Sequence, residues 1–203
     1  MESDEADKSP AITPCAECAH RMNRRRVLMN IGVGGLGLSL MPRALLAQTD
    51  PASAPPQEGD LLTGVSDDNH KPVRAQDIAL GATPMHVYPM TQDGVVRNQN
   101  RFNELLLLRL DPSTLNAASL SVGAEGVLAF SAICPHAGCT INEYIATQNV
   151  LSCDCHSSQF DPRDAGKVVG GPAARPLPPL DLKLIKGNLA VAKTFEVDIR
   201  IGD

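Results

Sequence analysis

The apolar positions of this 203-residue chain fall in short runs separated by Gly, Pro and Asp, with no long helical stripe. The clearest run, Glu104-Leu105-Leu106-Leu107-Leu108-Arg109-Leu110, is ended by Asp111-Pro112. That length with those bounds predicts a buried strand. Val127 to Ile133 predicts a second, Asn149 to Ser152 a third and Lys167 to Val169 a fourth. Leu180–Ile185 and Leu189–Ala192 alternate apolar and polar on either side of Lys186-Gly187-Asn188, the pattern of a hairpin. His86-Val87-Tyr88 predicts one more short strand inside an otherwise weakly patterned stretch from Leu61 to Val96. Many short strands punctuated by Gly and Pro predict an all-β domain, with no helix of note and no internal repeat.

The first 60 residues follow another pattern. Asn23-Arg24-Arg25-Arg26-Val27-Leu28 precedes the apolar run Val33–Met41, and Pro42-Arg43 interrupts that run before Ala44-Leu45-Leu46-Ala47. Paired arginines ahead of a modest, Gly-rich hydrophobic stretch resemble a bacterial twin-arginine export signal. The run is short for a membrane span, which needs about 20 apolar residues. Cleavage after Ala47 and retention as an N-terminal anchor both stay open. Residues 48–60, rich in Pro, Ala, Gln and Asp, read as an extended linker. Residues 61–203 are then the folded domain.

Composition narrows the picture further. Aromatic residues make up only 3% and Trp is absent, so the core must be aliphatic. Net charge is −5, and no basic stripe follows the leader, which argues against nucleic acid as a partner. Six cysteines are few for a disulfide scaffold of this length. Cys15 and Cys18 lie in the leader, and the other four fall in two clusters. These are Cys134-Pro135-His136-Ala137-Gly138-Cys139 and Cys153-Asp154-Cys155-His156-Ser157-Ser158. Each follows a predicted strand and supplies a Cys and a His at close spacing, with one Cys to spare. Pro135 and Gly138 favour a sharp turn in the first. A mixed Cys/His set also suits zinc, although zinc pairs usually read C-x2-4-C and neither cluster does. His20, His70 and His86 lack such a context and read as surface or structural residues.

The two motifs, C-x-H-x-G-C and C-x-C-H-x-S, resemble the two boxes of the Rieske iron–sulfur family in its disulfide-containing form. That form is shared by cytochrome bc-complex subunits and the small subunits of arsenite oxidases. The resemblance spans roughly Val127 to Lys193. It implies a Rieske-type antiparallel β-sandwich carrying a small cluster-binding part at about residues 130–175. It implies one [2Fe–2S] cluster per chain, with two thiolates on one iron and two imidazoles on the other. By position, Cys134 and Cys153 would bind one iron, and His136 and His156 the other. Cys139 and Cys155 would form a disulfide between the loops, and Ser158 would hydrogen-bond a bridging sulfide. Gly170-Gly171-Pro172-Ala173-Ala174-Arg175-Pro176 resembles the family's loop over the cluster, with Ala174 where a second Pro is usual. Ala137 and Cys155 separate the chain from Rieske oxygenases, whose boxes carry Arg and an aromatic at these positions.

Three departures matter. Phe160 stands where high-potential members have Tyr, whose hydroxyl bonds a ligand sulfur. Asp154 and Ser157 replace the family's Pro and Gly. Hydrogen bonds to sulfur favour the reduced cluster. Losing one worth ~1–2 kcal/mol lowers the potential by roughly 40–90 mV. The negative charge of Asp154 acts in the same direction. The expected potential lies above plant-type ferredoxins and below the highest quinol-oxidising centres. The resemblance also implies outer imidazole nitrogens near solvent, and so a potential that falls with rising alkaline pH.

The function implied is one-electron transfer on the periplasmic side, with the N-terminal segment as a candidate tether to the inner membrane. The donor is a quinol or an oxidoreductase and the acceptor resembles a c-type cytochrome. The chain needs no catalytic residue of its own, because the cofactor carries the chemistry. One placement is the iron–sulfur subunit of a cytochrome bc-type quinol:cytochrome c reductase. The alternative is the small subunit of a periplasmic molybdenum or other dehydrogenase. A third is a redox or iron sensor, or a binding module.

Overall fold

The computed structural model describes residues 50–195 together with Ile199, Ile201 and Gly202. The export signal, the cleavage position at Ala47, Cys15, Cys18 and His20 lie outside the described residues. Eleven strands fall inside them. They are β1 (Leu61–Gly64), β2 (Met85–Met90), β3 (Leu105–Arg109), β4 (Val127–Ser131), β5 (Glu143–Ile145), β6 (Val150–Cys153), β7 (Ser158–Asp161), β8 (Lys167–Gly170), β9 (Pro179–Leu180), β10 (Leu182–Ile185) and β11 (Asn188–Val191). A larger sheet runs β10-β11-β1-β2-β3-β4-β9, and a smaller one runs β5-β6-β7-β8. Neighbouring strands in both are antiparallel. The all-β class expected from the sequence is thus the observed one.

The packing of β3 and β4 explains why their sequences are apolar at every position before the last, Arg109 and Ser131. Leu105 and Leu107 pack with Val127 and Ala129 in one core, together with Leu62, Val87 and Leu189. Leu106 and Leu108 pack with Leu128 and Phe130 in a second core, together with Leu151 and Phe160 of the smaller sheet. Successive side chains of a strand point to opposite faces, so a strand between two cores cannot carry a polar face. Each fully buried Leu contributes ~1.5–3 kcal/mol by leaving water. The second core contains Cys134 and Cys153, each 1% exposed. The candidate site therefore grows directly out of the packed interior between the sheets.

Two features were not legible in the sequence pattern. β1, β5 and β7 add strands at short or polar segments. A six-residue helix, α1 (Ala117–Val122), is capped by Asn116, whose side-chain oxygen accepts from the Ser119 amide. The expected hairpin turn is Lys186-Gly187, both at positive φ, and Asn188 already opens β11. Asp50–Asp60 carries turns and lies against the domain. The Arg97 guanidinium donates to both Asp60 carboxylate oxygens, at 2.6 and 3.1 Å, and to the Pro51 carbonyl at 2.8 Å. The Asn103 side chain donates to the carbonyl of Ala54.

Candidate metal centre

Both sequence clusters are hairpin tips, and their turns close alike. In the first, the Gly138 amide donates to the Cys134 carbonyl at 2.9 Å, and the Cys134 amide to the Cys139 carbonyl at 2.8 Å. In the second, which joins β6 to β7, the Ser157 amide donates to the Cys153 carbonyl at 2.9 Å. Each turn ends in a left-handed residue, Gly138 at φ +76° and Ser157 at φ +59°. Such a turn bends the chain sharply enough that a Cys at its start and a His inside it share one loop.

The two tips are bonded to each other. Cys139 and Cys155 form a disulfide. This agrees with the pairing that the family resemblance implied. Cys139, Cys153 and Cys155 have sulfurs within 4.8 Å of one another, but the bond removes two of these from the pool of ligands. Cys134 and Cys153 remain as buried free thiols. The Cys153 thiol is pushed above its usual range by burial first, and the neighbouring Cys134 thiol adds to the shift. Across the same gap, the imidazole rings of His136 and His156 stand edge to face with centroids 4.7 Å apart. Each pair of like donors therefore meets across the tips.

Two polar atoms here are buried without a partner: His136 Nδ1 and Ser158 Oγ. Such a group costs about 1–3 kcal/mol unless something bonds to it. A ring nitrogen, a hydroxyl and two free thiols converge from both tips. The donor set suits a [2Fe–2S] cluster with two sulfur and two nitrogen ligands and a hydroxyl beside its sulfides. The Gly170–Pro176 segment, which resembles the family's loop over the cluster, packs through Gly171 on the second tip. A Cβ at Gly171 would lie 2.4 Å from the Ser157 carbonyl oxygen and 2.5 Å from Ser158 Cα, so only glycine allows the approach. Ala173 of this loop enters the core that holds Cys134 and Cys153.

Sequence reasoning missed the residues that brace the first tip from a distance. The Arg101 guanidinium donates to the Gly138 carbonyl, and the Gly202 amide donates to the Pro135 carbonyl at 3.0 Å. These contacts join segments far apart in the chain, and no local pattern marks them. His86 reads as structural: its Nδ1 meets Glu104 Oε1 at 2.8 Å, away from the tips.

An antiparallel β domain whose two disulfide-linked tips each present a Cys and a His defines a class of iron–sulfur electron-transfer domain. The chain belongs to the Rieske [2Fe–2S] domain family, whose model matches residues 78–186. The match begins well upstream of Val127, where the motif-based resemblance began. Streptomyces coelicolor has a relative, a cytochrome bc1 complex Rieske iron–sulfur subunit. It is 30% identical over 186 residues, covering 86% of this chain and 52% of that protein. A putative respiratory nitrate reductase subunit Rieske of Haloferax mediterranei is 31% identical, covering 53% of this chain and 46% of its own. The chain thus spans about half the length of these relatives. Among solved structures, the soluble domain of Rieske protein II from Sulfolobus acidocaldarius aligns with TM-score 0.35 and 25% identity. It covers 45% of this chain and 62% of that one.

Proposed function

We propose that the chain is a one-electron carrier. In this reading Cys134 and Cys153 hold one iron, and His136 and His156 hold the other. The observation that carries it is the convergence of two buried free thiols with the unpartnered His136 Nδ1 and Ser158 Oγ. When bound, the [2Fe–2S] cluster supplies a one-electron couple whose potential is raised by histidine ligation. The chain's own residues do the rest. The Cys134 and Cys153 side chains sit in the apolar core between the sheets, which keeps water from the sulfur side. Ser158 offers a hydroxyl that stabilises the more negative, reduced state. The Cys139–Cys155 bond holds the two tips in one arrangement through oxidation and reduction, so little reorganisation accompanies electron transfer.

The preferred placement is the periplasmic side of a bacterial membrane, as iron–sulfur subunit of a cytochrome bc-type complex. There the chain passes electrons from a quinol or donor oxidoreductase to a c-type cytochrome-like acceptor. The bc1-complex relative supports this, as do the paired arginines of the leader. Among the described residues no helix is long and apolar enough to cross a membrane. Membrane attachment would thus fall to the leader. The second placement, as small subunit of a periplasmic molybdenum or other dehydrogenase, draws on the nitrate reductase relative and on Phe160 in place of Tyr.

Iron and sulfide analysis, with EPR of the reduced protein, tests the centre. The expected result is two irons per chain and the low average g value of histidine-ligated binuclear iron. Stoichiometric zinc, or a ferredoxin-like signal, would refute it. Purification of the native protein from membranes tests the placement. Co-purification with cytochrome b and c supports the first, and with a molybdenum subunit the second. The N-terminal sequence of the mature form reports whether the leader is released near Gln48.

A further inference from the structure

The described end of the chain returns to the first hairpin tip. There the Gly202 amide bonds the Pro135 carbonyl at 3.0 Å. The Gly202 carbonyl accepts from the Arg175 guanidinium, which belongs to the loop lying over the second tip. Ile201 lies on Gly138, close enough that a Cβ there would meet Ile201 Cδ1 at 2.5 Å. Pro135, His136, Ala174 and Gly202 line a small, partly open cavity of about 180 Å³. The tail thus spans from one tip to the loop that packs on the other.

The two histidines differ accordingly. His136 is half-buried, with its Nδ1 wholly buried. His156 is exposed, as are its neighbours Asp154, Cys155 and Ser157. The local turns are closed in the same way, so turn geometry alone does not account for the difference. Of the described residues after Phe195, Ile201 and Gly202 lie against the first tip.

We propose that Ile201 and Gly202 cover the Pro135-His136 face of the centre, so that solvent and small reagents reach His136 less readily than His156. This rests on the reading that the two tips hold the cluster. The cover is a light one. Ile201 keeps 45% of its surface exposed, and Gly202 is tied by single hydrogen bonds to Pro135 and Arg175. Its opening is a local event that leaves the sheets intact. The two residues act on access and do not touch the electron path.

Covalent labelling with diethyl pyrocarbonate, mapped by peptide mass spectrometry on the cluster-loaded full chain, tests this. The reagent acylates the ring nitrogen that is left free. His156 is expected to label about five- to tenfold faster than His136, the ratio set by a few weak contacts over one face. Two variants follow, Ile201→Ala and Ile201→Ser, both of which keep Gly202 and its bond to Pro135. Each should raise the His136 rate toward that of His156 while leaving the His156 rate and the visible and EPR spectra unchanged. If Ile201→Ser fails to fold, Ile201→Ala decides alone. Equal labelling in the parent chain, or a His136 rate that neither variant moves, overturns the proposal. So does loss of the cluster from both variants, because the tail would then be part of the frame. A parent chain without the spectra of a [2Fe–2S] centre fails earlier. That result refutes the centre itself and is read before any labelling.

Discussion

Phe160 is fully buried in the same core as Cys134 and Cys153. A hydroxyl added there enters an apolar interior, and the family resemblance places it where the Tyr of high-potential members bonds a ligand sulfur. Phe160→Tyr is therefore expected to raise the reduction potential by roughly 40–90 mV, the equivalent of a hydrogen bond worth ~1–2 kcal/mol. Protein-film voltammetry measures it, and an unchanged or lower potential contradicts the role given to this position. The two tyrosines provide a second test at this scale. Burial, followed by the nearby Glu104 carboxylate, pushes the Tyr88 phenol above its ordinary range. Burial is also the leading cause at Tyr144, with Asp161 adding to it and Arg163 opposing it. Both phenols stay neutral in the folded state at a pH where the unfolded chain already ionises, at ~10. Their contribution to stability is complete below that pH and is lost as pH rises through the folded values. Ultraviolet titration should show the phenolate band of the folded protein appearing at higher pH than that of the denatured protein. The ligand candidates were legible in the sequence because Cys and His at such spacing are rare without a purpose. Arg101 and Gly202 were not, because an Arg or Gly at those positions has many unremarkable uses.

Among the elements, the two best-read strands were those with the least ambiguous environment. β3 and β4 are buried on both faces, so their sequences carry no polar residue before the last, Arg109 and Ser131. β7 was missed for the opposite reason. Its first residue, Ser158, is a buried polar group, and Gln159 and Asp161 follow in alternation. Its apolar signal is Phe160 alone. β5 is an edge strand of three residues, with Glu143 exposed. α1 is too short to show a helical period. The turn between β6 and β7 carries its own consequence. Ser157 holds φ +59° without being glycine. The left-handed conformation costs a non-glycine residue ~1–2 kcal/mol, while glycine gives back ~0.5–1 kcal/mol through the entropy of the unfolded chain. The first effect is the larger, so Ser157→Gly should stabilise the domain by about 0.5–1 kcal/mol. A shift of the urea midpoint to higher concentration with unchanged slope is the expected sign, and a lower midpoint refutes it.

At the scale of the whole molecule, residues 50–60 are fastened to the domain by a buried ion pair. Asp60 and Arg97 expose only 5% and 7% of their side chains. The Asp60 carboxylate also accepts from the Gln57 amide at 2.7 Å. The Asp60 carbonyl accepts from Val191 at 2.8 Å, which ties the segment to β11. Asn103 adds a further tie, donating to Ala54 and to the Arg97 carbonyl. Two residues before Asn103, Arg101 holds the first ligand tip. One short 3-10 turn, Arg101–Asn103, thus contacts both the entering segment and the centre. The sequence offered no sign of this, since Asp60 and Arg97 are 37 residues apart and read as ordinary surface charges. Removing one partner leaves the other charged and buried, so Asp60→Ala should cost about 3–5 kcal/mol. Replacing both, as Asp60→Leu with Arg97→Met, removes the unpaired charge and should cost much less than either single change. Urea unfolding of the two single variants and the double variant measures the difference. If the single substitutions are as mild as the double, the pair is too well solvated to fasten anything. If the double is as damaging as the singles, the Arg97 bond to the Pro51 carbonyl, and not the ion pair, holds the segment.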